Sequence, residues 1–239
     1  QIRQAEQHMQ TSLRGIAKKA ESDPKHRFGN LYSLLNEANL RWCFTKLNRK
    51  AAPGVDAVDY ETFEADLDDN ISQIVDDLKD GNYKAKLVRR HYIPKIGGRR
   101  PLGIPVVGDK VLQTAAQILS AIFEQDFLEC SHGYRRGKGP QRAALELSKR
   151  LHRGRYRWVV DADIKGFFDN LDHEWLMRML EQRIDDQRFL ALICKWLKAG
   201  ILEEDGQTIY PVTGTPQGGV VSAVLANIYL PYALDLWFE

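Results

Sequence analysis

Apolar residues along this chain recur mostly every three or four positions, the spacing of helices with one buried face. Phe63, Leu67, Ile71, Ile74, Val75 and Leu78 predict a helix with Asp59 as its N-cap and Gly81 at its end. Two helices, about 2–20 and 30–48, precede it, joined by the turn-forming Glu21-Ser22-Asp23-Pro24. A long helix is expected from about Asp109 to Glu129. Another runs from Pro140 to about Arg153, with proline suited to the first turn. Asp172 reads as an N-cap, with Leu171 and Leu176 at the spacing of a hydrophobic staple. That helix reaches about Ile184, and a further one covers about 187–199. The last helix follows Gly218-Gly219, and Pro231 inside it predicts a kink near Asn227. Two hairpins interrupt the series: Leu87–Ile96 with Arg100–Val107, turned at Gly97-Gly98, and a short one over about 201–212, turned at Asp205-Gly206.

One stretch breaks the helical rhythm. Trp158-Val159-Val160-Asp161-Ala162-Asp163-Ile164 reads as a strand that stops at Gly166. Alternation puts Trp158, Val160, Ala162 and Ile164 on one face, and Arg157, Asp161 and Asp163 on the other. Two carboxylates held together on a half-buried strand call for compensation, which a hard divalent cation such as Mg²⁺ supplies through oxygen ligands. A solvated polar face would serve as well, and these residues alone leave both readings open.

The 239 residues suffice for a sizeable core, and 44% hydrophobic with 28% charged content is ordinary for a globular protein. Cys43, Cys130 and Cys194 are odd in number and lack metal-site spacing, so neither a disulfide framework nor a zinc site is suggested and a reducing cytoplasm is expected. The first residues carry no apolar leader. Val220–Phe238 contains a single charge, Asp235, but Asn227, Pro231 and three polar-tipped aromatics make it a buried helix and not a membrane span. The net charge of +2 hides a strong segregation. Residues 55–80 hold ten acids against Lys79. Residues 81–108 hold seven Lys or Arg and no acid, and residues 131–157 hold nine against Glu146. Two basic blocks with interleaved Tyr83, Tyr92, Tyr134 and Tyr156 suit a polyanion. Arg89, Arg90, Arg99, Arg135, Arg136 and Lys138 are the candidate nucleic-acid contacts.

Two further patterns carry candidate chemistry. Thr213-Gly214-Thr215-Pro216-Gln217-Gly218-Gly219 places glycines, an amide side chain and a helix start where backbone can approach an anionic ligand closely. Lys95, Arg99 and Arg100 surround the first hairpin's tip, where Arg forks and a Lys point charge can hold phosphates.

Taken in order, Tyr92-Ile93-Pro94-Lys95, Arg99-Arg100-Pro101-Leu102-Gly103-Ile104-Pro105, Ser131-His132-Gly133-Tyr134-Arg135, Asp163-Ile164-Lys165-Gly166-Phe167-Phe168-Asp169-Asn170 and Thr215-Pro216-Gln217-Gly218-Gly219 resemble the successive blocks of group II intron-encoded reverse transcriptases. The N-terminal helices ending at Pro53-Gly54-Val55-Asp56 resemble the additional block that precedes the fingers. The resemblance covers roughly residues 30–239. It implies an α+β right-hand polymerase, with a basic helical extension over 1–55, helix-rich fingers with a hairpin over 56–153, and a partial palm over 154–239.

By the same resemblance Asp163 is a catalytic metal ligand and the Ile164 carbonyl a second-metal contact. Phe168 lies under the incoming sugar, Gln217 contacts the nucleotide, and Lys95 and Arg100 hold its triphosphate. Asp161 supports Asp163 from behind. The implied chemistry is RNA-directed DNA synthesis with two Mg²⁺ ions. The implied partners are RNA template and primer, dNTP and intron RNA, with no membrane. The family's remaining carboxylates lie in a Tyr-Ala-Asp-Asp hairpin, and the chain contains no such sequence. The 239 residues alone are therefore expected to bind metal weakly, to extend no primer, and to self-associate, as a homodimer or more, through an unpaired strand edge. Ala57, His132 and Arg136 stand where the family commonly has Gly, Tyr and Pro. The alternatives are an RNA-binding maturase without polymerase activity and a CRISPR-associated reverse transcriptase.

Overall fold

The computed structural model describes residues 2–237 other than 155 and 157. Helices α1 (Ile2–Ser22), α2 (Glu37–Phe44), α3 (Tyr60–Ala65) and α4 (Leu67–Lys79) come first. Strands β1 (Val88–Lys95) and β2 (Gly98–Ile104) follow, then α5 (Val107–Ala115), α6 (Gln117–Phe123) and α7 (Pro140–Arg153). Helices α8 (His173–Glu181) and α9 (Gln187–Leu197), strands β3 (Ile201–Leu202) and β4 (Thr208–Ile209), and α10 (Ser222–Ala233) complete the order.

Local chemistry explains most of the boundaries. Asp59, Asp172 and Asp186 each accept the backbone N–H three residues on, at 2.8, 2.9 and 3.0 Å, so three aspartates open three helices. Two helices expected as single rods are each divided. Asp66 leaves the helical conformation between α3 and α4, and Asn70 Nδ2 occupies the Phe63 carbonyl that the break exposes. Ala116 separates α5 from α6, which lets α5 pack on α2 while α6 packs on α1. The second helix begins later than its pattern suggested, because residues 32–34 form a 3₁₀ turn.

A single apolar cluster extends from Met9 of α1 to Ile228 of α10, with Phe44, Leu112, Leu119, Phe123 and Phe189 fully buried. The chain start is tied to the far end of this core by Arg183. Its guanidinium donates to the carbonyls of Ala20 (3.1 Å) and Pro24 and pairs with Asp126 at 3.1 Å. Burial raises the Asp126 carboxyl against the lowering field of Arg183.

The sheet departs from two separate hairpins. Its order is β2-β1-β3-β4, with β1 parallel to β3 through Val88↔Ile201 and Arg89↔Leu202. A small second core of Val88, Ala199 and Ile201 lies at that junction. The junction is locked by Arg90, which pairs with Glu203 at 3.0 Å, and by Tyr92, whose hydroxyl donates to the same carboxylate at 3.0 Å. In the first hairpin Lys95 faces Gly98, so the turn is Ile96-Gly97 and not Gly97-Gly98. Gly97 supplies the positive φ of 79° that such a turn needs.

The sharpest difference concerns residues 158–164, which form no strand. Trp158 is 89% and Val160 90% exposed. A strand is held by backbone bonds to a neighbour, and β1–β4 assemble elsewhere without pairing to this segment. Its β-forming composition therefore stands without the partner that would make it a strand. Arg157, expected on the same face as the two acids, lies outside the described residues, as does Phe238 at the far end of the apolar stretch. Helix α10 continues through Pro231 to Ala233. Among the described residues, no helix is long and apolar enough to cross a membrane.

Candidate functional site

Three separated motifs meet at one place. The loop 213–219 lies between strand β2 and the turn that carries Phe168. On one side the N–H of Gly103 in β2 donates to the Gln217 carbonyl at 2.6 Å. A Cβ at Gly103 would sit 2.5 Å from Pro216 Cβ, so glycine there is required by the close approach of the loop. On the other side Gly214 N donates to Leu171 O at 2.7 Å and Thr215 N to Phe168 O at 2.8 Å, while Thr213 Oγ1 donates to Asp169 O at 3.1 Å. Gly214, at φ 84°, has the Asp169 carbonyl 2.7 Å from where a Cβ would stand. His173 Nε2 lies 2.6 Å from the Gly214 carbonyl, and Gln113 Oε1 accepts the N–H of Val220 at 3.1 Å.

The Phe168 turn is built by Gly166, which is left-handed at φ 61° and whose carbonyl accepts Asp169 N, Asn170 N and Asn170 Nδ2 at 2.8–3.1 Å. Phe168, half-buried, meets Tyr134 edge-on at 6.0 Å and Phe167 at 5.9 Å. Gln217 is half-buried at the opening of the last helical segment. Lys95, Arg99 and Arg100 are exposed around the hairpin tip, where a polyanion can reach them.

Asp161 and Asp163 are both exposed, as is Ile164, on the segment without strand pairing. Among the described residues no group of three His, Cys, Asp or Glu side chains could hold a metal ion. A two-ion Mg²⁺ cage does not fit the residues as arranged, since among the described residues Asp163 belongs to no group of three such ligands.

Several expected nucleic-acid contacts have internal partners instead. Arg89 Nε and Nη2 both donate to the Pro53 carbonyl, at 3.1 and 2.7 Å, pinning the loop before α3. Arg135 is 7% exposed and pairs with Glu124 at 2.8 Å while donating to Leu128 O and Ser131 O. Arg90 is held by Glu203, and Lys138 by the Glu129 backbone carbonyl and carboxylate. A buried cation must be paired, and these guanidinium and ammonium heads are occupied in that way. Arg99 and Arg136 remain exposed.

The structure also reveals participants that pattern reading missed. Tyr83, one of the interleaved tyrosines that could stack or pack, is buried, and its hydroxyl donates to Asp109 Oδ1 at 2.6 Å and accepts Trp196 Nε1 at 3.1 Å. Asp109 Oδ2 accepts the Lys86 N–H at 2.9 Å. Burial raises the Asp109 carboxyl above the ordinary range, and burial followed by the Asp109 charge raises the Tyr83 phenol. Burial likewise pushes the Cys43 thiol up to about 12. Gln113 and Ser222 could have been found as polar residues on the buried sides of apolar helices, and Thr215 from its place in the 213–219 motif. Of the three departures from the expected blocks, Ala57 adopts φ 58°, His132 lies 3.2 Å from Glu146, and Arg136 faces solvent.

Comparison with known proteins bears on the family and the fold. The profile of the family described as reverse transcriptase (RNA-dependent DNA polymerase) matches residues 89–239. The group II intron-encoded protein LtrA of Lactococcus lactis subsp. cremoris is 38% identical over 224 residues, which is 91% of this chain and 37% of that protein. Protein YkfC of Escherichia coli K12 is 35% identical over 228 residues, again 91% of this chain and 59% of the relative. The chain thus spans less than two thirds of either relative's length. A chain of a partial Cas6-RT-Cas1–Cas2 complex has a similar fold, with a TM-score of 0.54 at 23% identity over 87% of this chain and 35% of that one. The expected polymerase-type α+β fold and the group II intron resemblance are both supported, and this chain belongs to the reverse transcriptase (RNA-dependent DNA polymerase) family.

Proposed function

We propose that the protein to which these residues belong is an RNA-directed DNA polymerase of the group II intron type, for which this chain supplies the fingers (56–153) and part of the palm (154–239) behind a basic helical extension (1–55). The observation that carries this reading is the meeting of β2, the Phe168 turn and the 213–219 loop through the Gly103, Phe168 and Thr215 backbone bonds. It brings a half-buried amide side chain and an aromatic ring to the base of a hairpin whose tip is cationic, an arrangement suited to a nucleoside triphosphate. Lys95 and Arg100 would hold its phosphates, Gln217 its base or sugar edge, and Phe168 the face of its sugar. Arg99 and Arg136 would meet template or primer phosphates.

Reverse transcriptases generally use Mg²⁺. For the whole protein we assign Asp163, with the Ile164 carbonyl beside it and Asp161 behind, to the metal site. The exposed 158–164 segment would become a strand only on pairing, and in isolation it favours self-association of the 239 residues. Three free thiols fit a reducing cytoplasm.

Extension of a primed RNA template by the full-length protein, measured with dNTPs and Mg²⁺, tests the reading. Loss of extension in Asp163→Ala supports it, and a full-length protein that binds RNA but never extends a primer would replace it with the maturase reading. That second reading draws on the two basic blocks, which suit RNA whether or not a primer is extended. For the 239 residues alone, we expect RNA affinity that falls steeply with salt and no extension. Scattering at rising concentration should show association, and a strictly monomeric profile would sink the proposed self-association.

A further inference from the structure

Thr215 and Ser222 form a hydroxyl relay that the functional reading above does not use. Thr215 is 5% exposed and Ser222 2%. Thr215 Oγ1 donates to Ser222 Oγ at 2.8 Å, and Ser222 Oγ donates to the Pro216 carbonyl at 2.8 Å. The relay ends on the peptide that leads directly into Gln217. Thr215 also reaches the other way, since its backbone N–H donates to the Phe168 carbonyl at 2.8 Å. One residue is therefore bonded to the main chain beneath Phe168 and, through a second hydroxyl, to the main chain beside Gln217.

Other contacts on this loop are of a different kind. Gly103 N, Gly214 N and Thr215 N make backbone bonds that involve no side-chain polar group. The two hydroxyls are side-chain groups that, among the described residues, bond to each other and to the Pro216 carbonyl. If packing alone were at stake, valine would fill the place of Thr215 with nearly the same shape. A valine would leave the buried Ser222 oxygen without the bond it accepts, which weakens its hold on the Pro216 carbonyl it donates to.

We propose that Thr215 and Ser222 are positioning residues that set Gln217 and Phe168 relative to one another, and so set the apparent affinity for the incoming nucleotide and the discrimination between deoxyribose and ribose. The proposal rests on the polymerase reading. Neither residue is expected to touch the nucleotide.

The test uses the full-length protein in single-nucleotide incorporation on a primed RNA template, with a dNTP and the matching rNTP. Wild type is compared with Thr215→Val, Ser222→Ala and Thr215→Ser, and the melting temperature of each is recorded. Thr215→Val and Ser222→Ala should raise the dNTP KM about fivefold, the equivalent of one lost hydrogen bond, while kcat changes by less than about twofold. The dNTP-to-rNTP preference should narrow in both, and Thr215→Ser, which keeps the hydroxyl, should restore both properties. Variants that melt near wild type with unaltered KM and sugar preference would overturn the proposal. So would a Thr215→Ser that behaves like Thr215→Val, because keeping the hydroxyl would then not keep the function assigned to it. If Thr215→Val fails to fold, Ser222→Ala and Thr215→Ser decide the matter. Failure of the wild type to extend removes the polymerase reading and the relay's role with it, whereas extension with indifferent variants removes the relay alone.

Discussion

The 213–219 loop and the 158–164 segment both carry sequence that marks the family, yet one is bonded on every side and the other stands in solvent. The loop's backbone groups find Gly103, Phe168 and Leu171, and its hydroxyls find the Asp169 carbonyl and Ser222. The segment has the stronger intrinsic signal, with Trp, Val and Ile in alternation, and stays unpaired with Val160 90% exposed. The difference lies in where partners come from. A tight loop can be satisfied by groups brought to it by helices and a hairpin that already share the core. A strand needs a neighbouring strand, and propensity without a neighbour produces only an extended chain.

The largest contrast should appear in stability. Leu112 is fully buried in the main cluster, and Leu112→Ala should cost about 3 kcal/mol from lost burial and the cavity left behind. Val160→Ala should stay within about 0.5 kcal/mol of wild type, because an exposed side chain loses little. Urea unfolding of the 239-residue chain measures both. A cost for Val160→Ala approaching that of Leu112→Ala would mean that the segment is buried in solution, and the contrast between the regions would collapse.

Next in size is the loop itself. Gly214→Ala combines a φ of 84° with a Cβ placed 2.7 Å from the Asp169 carbonyl, a backbone atom that cannot swing aside. A loss of about 2 kcal/mol is expected. Gly133→Ala is the control, since no atom lies within 4 Å of a Cβ there. If the two variants unfold at the same urea concentration, the loop is not held as tightly as its bonds imply.

These regions also differed in how far they could be read from the amino acids. Helix starts at Asp59, Asp172 and Asp186 are local, set by one side chain and an N–H three residues on, so two of them were identified from pattern alone. The first hairpin was legible for the same reason, its turn displaced by one residue. The β1–β3 pairing was not, because Val88 and Ile201 are far apart in sequence and two-residue strands leave no periodicity. Candidate phosphate-binding residues at the tip were found from charge alone, but charge does not separate a solvent-facing Arg99 from an Arg135 that pairs with Glu124. Burial decides that, and burial is set by the whole fold.

A smaller effect tests the link between hairpin and core. Asp109 holds the Lys86 N–H ahead of β1 and the Tyr83 hydroxyl, and its carboxyl is raised by burial. A raised folded-state value means that the folded chain keeps this proton longer than the unfolded chain does. The group's stabilising contribution is full below the ordinary aspartate value and is lost as pH rises through the raised one. Relative to Asp109→Asn, which does not titrate, wild-type stability should therefore decline with rising pH across that acid window and then level off. A difference that is flat or grows with pH would show the carboxylate to be stabilised in its charged form, with the Tyr83 and Lys86 bonds outweighing burial.

The smallest effect separates strain in a scaffold loop from strain at the site. Ala57 and Tyr134 both take positive φ, 58° and 53°. Ala57 is exposed at the end of a loop whose start is pinned by Arg89 on Pro53 and Lys110 on Ala52, and its side chain makes no use of the conformation. Ala57→Gly relieves a left-handed residue at the cost of a more flexible unfolded chain. The net gain should be about 0.5 kcal/mol, read as a small rise in the urea midpoint. Tyr134 has the same backbone strain, but its ring meets Phe168 edge-on at 6.0 Å. Tyr134→Gly would trade that relief for the loss of a contact of about 0.5–1.5 kcal/mol, so no gain is expected. Equal gains from both substitutions would show that the Tyr134 ring contributes nothing to holding Phe168, and the site would have to be kept in place by the loop alone.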